Sequence, residues 1–300
     1  MLAEVLEALR PRVGGRYVDG TIGGAGHAAA ILDATSPTGW LYGCDRDGAA
    51  VEVSRRRLAA FSGRFELRQG NFSELASWVP AASCDGVLLD LGVSSPQLDV
   101  AARGFSFQRE GPLDMRMDPR QALTAAGLLN TAGEEELAKI FWELGGERDA
   151  RRLARAVARE RERQRFETTT QLAALIERLA PRRGKKTHPA TRVFQALRIA
   201  VNDELGSLAQ GLAGALKLLR PGGRLAVITF HSLEDRVVKD FGRARARDYT
   251  FTGGVDVPEL REPRAPEVKW VSRKAQTPRA AELADNPRSR SAQLRVMEKT

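Results

Sequence analysis

The residues best suited to chemistry in this 300-residue sequence are acids that end apolar runs, a glycine-rich turn, and a loop of hydroxyls with a carboxamide. Asp19-Gly-Thr-Ile-Gly-Gly-Ala-Gly-His27 lies between a predicted strand and a predicted helix. Glycines there let the backbone turn tightly and approach a ligand, with helix N–H groups exposed at the end. Asp45 closes the second apolar run, where a carboxylate can accept hydrogen bonds from both ribose hydroxyls. Gly24-Ala-Gly-His-Ala-Ala29 also satisfies G-x-G-x-x-A, so the loop alone fits a nicotinamide dehydrogenase as well as an S-adenosylmethionine (SAM) methyltransferase. Asp19 tips the balance toward SAM, because a carboxylate before the glycines repels a pyrophosphate and suits a cationic amino acid moiety. Gly70-Asn71-Phe72 follows the third strand, where a ring can pack on an adenine face.

Asp90-Leu-Gly-Val-Ser-Ser-Pro-Gln97 leaves a nearly all-apolar strand at the sheet end where open α/β sheets bind ligands. Asp90 is expected beside the cofactor, with Gln97 reaching it from the loop. Ser94, Ser95 and Pro96 also fit an ordinary helix cap or turn. An apolar strand ending in an unpaired acid needs a partner, which a turn does not supply.

These side chains need a frame. Leu2, Val5, Leu6 and Leu9 share a helical face that Pro11 ends. Strands are expected at 16–19, 40–45, 65–68 and 86–90, with helices at 28–32 and 49–61 between them. That alternation predicts a doubly wound, parallel α/β sheet. From about Gly104 to Asn202 no apolar strand is evident, and 134–142, 149–164 and 170–179 read as helices. A helix over 205–219, stopped by Pro221-Gly222-Gly223, precedes a fifth strand over 223–230. Residues 253–268 read as an irregular connection, and Gln293–Met297 as a last strand at the sheet edge. The expected organisation is a discontinuous α/β domain, 1–103 and 203–300, with an all-helical insert at 104–202.

Lys+Arg 47 against Asp+Glu 38 gives +9 and a pI near 10.0, and 39 of those cations are arginine. This balance favours a polyanionic partner. Two cysteines, Cys44 and Cys84, exclude a disulfide framework and point to a reducing cytoplasm. No apolar run approaches the ~20 residues of a membrane span, so no membrane partner is expected. His27, His188 and His231 with the two cysteines lack metal-ligand spacings, so no metal is expected.

Six further blocks stand in a fixed order: Arg103-Gly-Phe-Ser-Phe107, Gly111-Pro-Leu-Asp-Met-Arg-Met117, His188-Pro-Ala-Thr-Arg-Val-Phe-Gln-Ala-Leu-Arg198, Val201-Asn202, Phe230-His-Ser-Leu-Glu-Asp-Arg236 and Asn286-Pro-Arg-Ser-Arg-Ser291. With Asp90–Gln97 they span nearly the whole chain. In them the sequence resembles the RsmH/MraW family of bacterial small-subunit ribosomal RNA methyltransferases. The resemblance implies a Rossmann-like SAM-dependent methyltransferase fold with an inserted helical domain for rRNA recognition. It further implies methylation of N4 of a decoding-centre cytosine in 16S rRNA. Residue by residue it assigns Ala25, Gly26 and His27 to SAM contacts, Asp45 to the ribose, Phe72 to the adenine, and Asp90 and Gln97 to the rest of the pocket. Family members open with His-x-Pro-Val-Leu, whereas Met1-Leu-Ala-Glu-Val5 starts inside that element, which leaves open either an incomplete pocket near that terminus or a start further upstream.

The amino group of cytosine is a weak nucleophile, and the reaction needs in-line positioning with acceptors that polarise it. Asp90, or backbone carbonyls of the 91–93 loop, are the candidate acceptors, although Ser94-Ser-Pro-Gln97 replaces the Pro-Pro-aromatic tetrapeptide common among DNA amino methyltransferases. For RNA phosphates the candidates are Arg152 and Arg155 among the helical arginines 148–159, Lys185 and Lys186 in the following loop, then His188 and Arg192. A solvated basic face explains any one of these equally well. His231 faces either the target base or a structural hydrogen bond. Competing readings are an amino methyltransferase of another nucleic acid, a dehydrogenase, and a non-catalytic ribosome-assembly factor. A homodimer is left open.

Overall fold

The structure, a computed structural model, describes residues 1–180, 188–251 and 256–300. Helix α1 (Leu2–Leu9) buries Val5, Ala8 and Leu9 and stops where Arg10 turns left-handed, φ 50, just before Pro11. Strand and helix then alternate through β1 (Arg16–Asp19), α2 (Gly26–Ala34), β2 (Trp40–Asp45), α3 (Gly48–Arg57), β3 (Phe65–Gln69) and β4 (Cys84–Asp90). The helix expected to reach Phe61 ends at Arg57, because Leu58 leaves it to enter the core and a separate 3-10 turn covers Ala59–Phe61.

Six helices follow: α4 (Ser95–Asp99), α5 (Ala125–Thr131), α6 (Glu134–Glu143), α7 (Ala150–Arg161), α8 (Thr169–Leu179) and α9 (Thr191–Asn202). The chain continues through α10 (Glu204–Leu218), β5 (Leu219–Thr229), α11 (Ser232–Arg245), β6 (Tyr249–Phe251), β7 (Arg261–Pro263), β8 (Val268–Trp270), α12 (Ala280–Asp285) and β9 (Gln293–Lys299). It divides into two compact units, Met1–Gly92 with Leu205–Thr300, and Val93–Glu204.

The first unit holds a seven-stranded sheet in the order β3-β2-β1-β4-β5-β9-β8. Strands β1 to β5 are mutually parallel, β9 is antiparallel to β5, and β8 is antiparallel to β9. Successive residues on a strand serve opposite layers, as a period of two requires. Tyr17, Leu88, Ala226 and Ile228 pack with α1, α2 and α3. Val18, Val87, Leu89, Leu225 and Val227 pack with α10 and α11. Both faces are covered, which explains why β4 is apolar almost throughout.

Three expectations change here. Pro221-Gly222-Gly223 is not a break before β5 but a bulge within it: Cys84 pairs with Leu219 and Gly86 with Arg224, so residues 220–223 leave the ladder. Proline has no N–H to give, and Gly222 takes the left-handed turn, φ 78. The connection expected over 253–268 contains β7, paired with β6, and the start of β8; residues 252–255 lie outside the described residues. Strand β9 is not the sheet edge, because β8 covers it.

The second unit is helical around its own core, where Leu128, Leu129, Leu137, Phe141, Leu153, Leu172, Ile176, Val193 and Leu197 meet. Asn202 pins the 115–117 turn to α9: its Nδ2 donates to Met115 O and its Oδ1 accepts the Met117 N–H, both at 2.8 Å.

Gly20 marks where the sheet admits no side chain. A Cβ there would stand 2.6 Å from Leu89 Cδ2 and 3.0 Å from Phe72 Cβ. Gly20→Ala is expected to destabilise the fold by about 1–3 kcal/mol, read as a lower urea midpoint at unchanged slope. An unshifted midpoint would show that the strand ends are looser than described.

Candidate active site

Asp19, Asp45 and Asp90 end β1, β2 and β4, three adjacent parallel strands, and therefore reach the same rim. The backbone after β1 folds over that rim. Gly20 N–H donates to Leu88 O at 2.9 Å, Ile22 N–H donates to Cys44 O at 3.0 Å, and the Thr21 hydroxyl accepts the Asp90 N–H at 2.7 Å. Gly23 and Ala25 take left-handed conformations, φ 47 and 57. Gly26 then opens α2, no side chain caps that helix, and a Cβ on Gly26 would meet nothing within 4 Å. The first-turn N–H groups therefore lack a side-chain cap, an arrangement suited to a polar ligand.

Asp45 has a part that the spacing did not reveal. Its Oδ2 accepts the Gly23 N–H and its Oδ1 the Asp47 N–H, both at 2.9 Å. From α3, the Ser54 hydroxyl donates to Gly23 O at 2.8 Å and Arg57 to Gly24 O at 2.9 Å. The glycine loop is held from outside, so its open inner surface is preformed. Sequence reasoning passed over Thr21, Ser54 and Arg57, and only their nearness to the glycine run and Asp45 could have flagged them. On each oxygen Asp45 keeps lone-pair capacity for a ribose hydroxyl.

The electrostatics of the rim are unbalanced. Burial pushes the Asp19 carboxyl up to about 7, and the charges of Asp90 and Asp45 add to it, against a hydrogen bond from Thr21. Burial likewise pushes Asp90 up to about 7 and raises Asp45. It lowers His27 to about 4, which leaves a neutral imidazole at pH 7. His27 Nδ1 lies 3.7 Å from Asp90 Oδ2, too far for a hydrogen bond, and a neutral ring makes no ion pair. Asp90 Oδ1 is sealed from solvent with no hydrogen-bond partner among the described residues, while the side chain as a whole keeps 29% exposure. The N-terminal ammonium eases Asp90 and Arg46 eases Asp45, but burial outweighs both, so the rim favours a positively charged, hydrogen-donating ligand.

Phe72 opens the 3-10 turn after Asn71, whose side chain accepts the Ser73 N–H at 3.1 Å. Its half-buried ring lies against Gly211 of α10, where Cε2 would be 2.6 Å from a Cβ. Ser207 ties this corner together, accepting from Arg46 at 2.6 Å and from Asn71 at 2.9 Å.

The other candidates are placed as follows. Gln97 belongs to the second unit, where it completes the capping box of α4 by accepting the Ser94 N–H at 2.9 Å. His231 caps α11: its Nδ1 accepts the Glu234 N–H at 3.4 Å, while Glu234 accepts the Phe230 N–H at 2.8 Å. Arg152 donates to Leu179 O at 3.1 Å and pairs with Asp149; Arg155 pairs with Glu134, and Arg192 donates to Gly146 O. His188 bonds Glu177 at 2.6 Å and lies 4.4 Å from the Phe107 ring. Lys185 and Lys186 lie outside the described residues.

Sheet order and carboxylate rim together define a Rossmann-like α/β methyltransferase. The model of the MraW methylase family matches residues 1–300. The ribosomal RNA small subunit methyltransferase H of Geobacter sulfurreducens is 53% identical over 304 residues, 100% of this chain and 97% of that protein. Its namesake in Syntrophotalea carbinolica is 51% identical over 99% of this chain and 96% of that protein, and that of Thermomicrobium roseum is 50% identical over 100% and 92%. The chain belongs to the MraW methylase family, and its methyl donor is SAM. The residues fit that donor: a sulfonium and an ammonium would offset the acidic rim, and the uncapped α2 terminus suits a carboxylate. Among the described residues no helix is long and apolar enough to cross a membrane.

The raised Asp19 carboxyl has a signed consequence. Its folded value near 7 exceeds the ~3.9 of an unfolded chain, so ionised Asp19 destabilises the ligand-free fold from about pH 4 upward, fully so above about 7. Asp19→Asn, which still accepts from Thr21, should be more stable than the parent at pH 8 by roughly 1–3 kcal/mol, the gain shrinking below pH 7 and vanishing near pH 4. Thermal unfolding at both pH values checks this. A variant less stable at pH 8 than the parent would remove the unbalanced charge.

Proposed function

We propose that this chain transfers a methyl group from SAM to N4 of a decoding-centre cytosine in 16S rRNA, on the small ribosomal subunit in the cytoplasm. The observation that carries the reading is Asp90 Oδ1, a buried acceptor with no protein donor at the end of β4. The relatives named above are small-subunit rRNA methyltransferases, and an exocyclic amino group is a donor of the kind this oxygen lacks.

The bound sulfonium supplies an activated methyl group, so the protein's part is placement and charge. In this reading Asp45 takes the ribose and the Phe72 ring one side of the adenine. Residues 25–27 hold the amino acid end, and Asp19 supplies the negative field for its cations. Asp90 accepts a hydrogen from N4, which drives electron density onto the nitrogen as it attacks. The proton displaced when the N–C bond forms passes to the same carboxylate, whose raised affinity suits it to act near neutrality. The Val93–Glu204 unit serves as the rRNA-recognition domain, with exposed Arg148, Arg151 and Arg159 as its free phosphate contacts alongside the loop lysines. A flipped, unstacked cytosine is required, since the reaction cannot occur within a stack.

Small subunits lacking the modification, incubated with enzyme and methyl-labelled SAM, should carry label on N4 of a single decoding-centre cytosine. Asp90→Asn should lower kcat by about 10²-fold or more. Label on another base or on a ribose would overturn the assignment. Unchanged turnover and SAM affinity in the variant would remove Asp90 from both of its roles.

A further inference from the structure

We propose that a groove between α11 and the β8–β9 edge of the first unit holds the sugar-phosphate backbone of the RNA substrate. This rests on the reading above that the substrate is RNA. The groove has a volume of about 580 Å³. Lys239 and Arg243, one helical turn apart, form one wall; Arg273 and Lys274 form the other, with Arg295 between them on β9. No acidic residue lines it. Asp235, on the same helix as Lys239, is already taken up by Arg295 at 2.5 and 3.2 Å and by Lys239 at 3.5 Å. Arg243, Arg273 and Lys274 are exposed and have no ion-pair partner among the described residues.

That imbalance differs from much of this arginine-rich surface. Exposed Arg68, Arg120, Arg155, Arg178 and Arg279 each sit on a carboxylate within 3.2 Å. Here the edge of the sheet projects its cations outward. Trp270 pairs with Met297, Val271 N–H still donates to Val296 O at 3.0 Å, and Gln276 returns to pair with Leu294, so residues 272–275 arch away from β9. The arch carries Arg273 and Lys274 to the side facing α11. Like charges gathered in a concavity repel one another unless a polyanion enters, and a phosphodiester chain is the polyanion this family meets.

Two features favour a nucleic acid over a lone anion. The half-buried Trp270 ring forms part of the wall, its far edge seated on Gly242, and offers a flat face to a base or ribose. The groove also begins at the methyl-transfer rim: Gln293 pairs with Thr229, the last residue of β5, whose neighbour Ile228 pairs with Asp90. A strand held in the groove therefore approaches the sheet end that carries the acceptor. None of these five cations belongs to the basic helix and loop that the sequence singled out.

The test compares Arg243→Gln/Arg273→Gln/Lys274→Gln with a control of equal charge, Arg55→Gln/Arg56→Gln/Lys217→Gln. A fluorescein-labelled single-stranded RNA spanning the target cytosine is titrated by anisotropy from 50 to 200 mM salt. The groove variant should bind about tenfold or more weaker than the control, with a salt slope shallower by about 2. On small subunits its KM should rise while kcat at saturation and SAM affinity hold. RNA affinity and KM within twofold of the control would overturn the proposal. Loss of binding to phosphatidylserine vesicles with RNA affinity intact would overturn it too, by assigning the groove to an anionic membrane. If the parent enzyme labels no cytosine, the proposed function fails, and the anisotropy series still decides the groove.

Discussion

Negative charge confined at one rim of a parallel sheet is the constraint on which the rest of this molecule depends. β1, β2 and β4 lie side by side and all end in aspartate, so strand pairing alone brings three carboxylates together. Burial holds two of them partly protonated near neutrality, helped at Asp19 by the charges of Asp90 and Asp45 and at Asp90 by those of Glu234 and Glu282. A fold retains such a cluster only where something compensates it, and a cationic methyl donor does so more directly than any side chain present. A sulfonium held there, as proposed, would be stabilised by the same field that makes the ligand-free rim unfavourable.

The glycine loop serves this arrangement by being held from behind. Asp45, Ser54 and Arg57 all bind its outer surface, and Thr21 links it to the backbone of Asp90. A loop fixed in this way loses little conformational freedom on binding, which is the physical meaning of preorganisation here.

Much of this rim was legible in the sequence because each ingredient is local. An apolar run ended by an acid predicts both a buried strand and a carboxylate at its mouth, and Asp19, Asp45 and Asp90 each have that form. The glycine spacing fixes the turn after β1. Features built from distant segments were not legible. β5 absorbs a Pro-Gly-Gly that reads as a terminator, because β4 supplies a ladder that resumes beyond the bulge. β8 is only three residues long and exists because β9 offers an edge. The cationic groove draws on residues 239 to 295 that become neighbours only once β8 and its arch are in place. Helix α9 lies within a recognised block, but it starts after Ala190 with no side-chain cap, so no polar start signal marks it in the sequence.

The central claim is that the rim carboxylates hold protons the donor must displace. Calorimetric titration of the protein with SAM, in two buffers of different ionisation enthalpy, measures this directly. Burial puts Asp19 and Asp90 near 7, so binding at pH 6 should release protons, the release should fall away by pH 8, and affinity should rise over the same interval. Binding with no proton release at pH 6 and the same affinity at pH 8 would contradict the account.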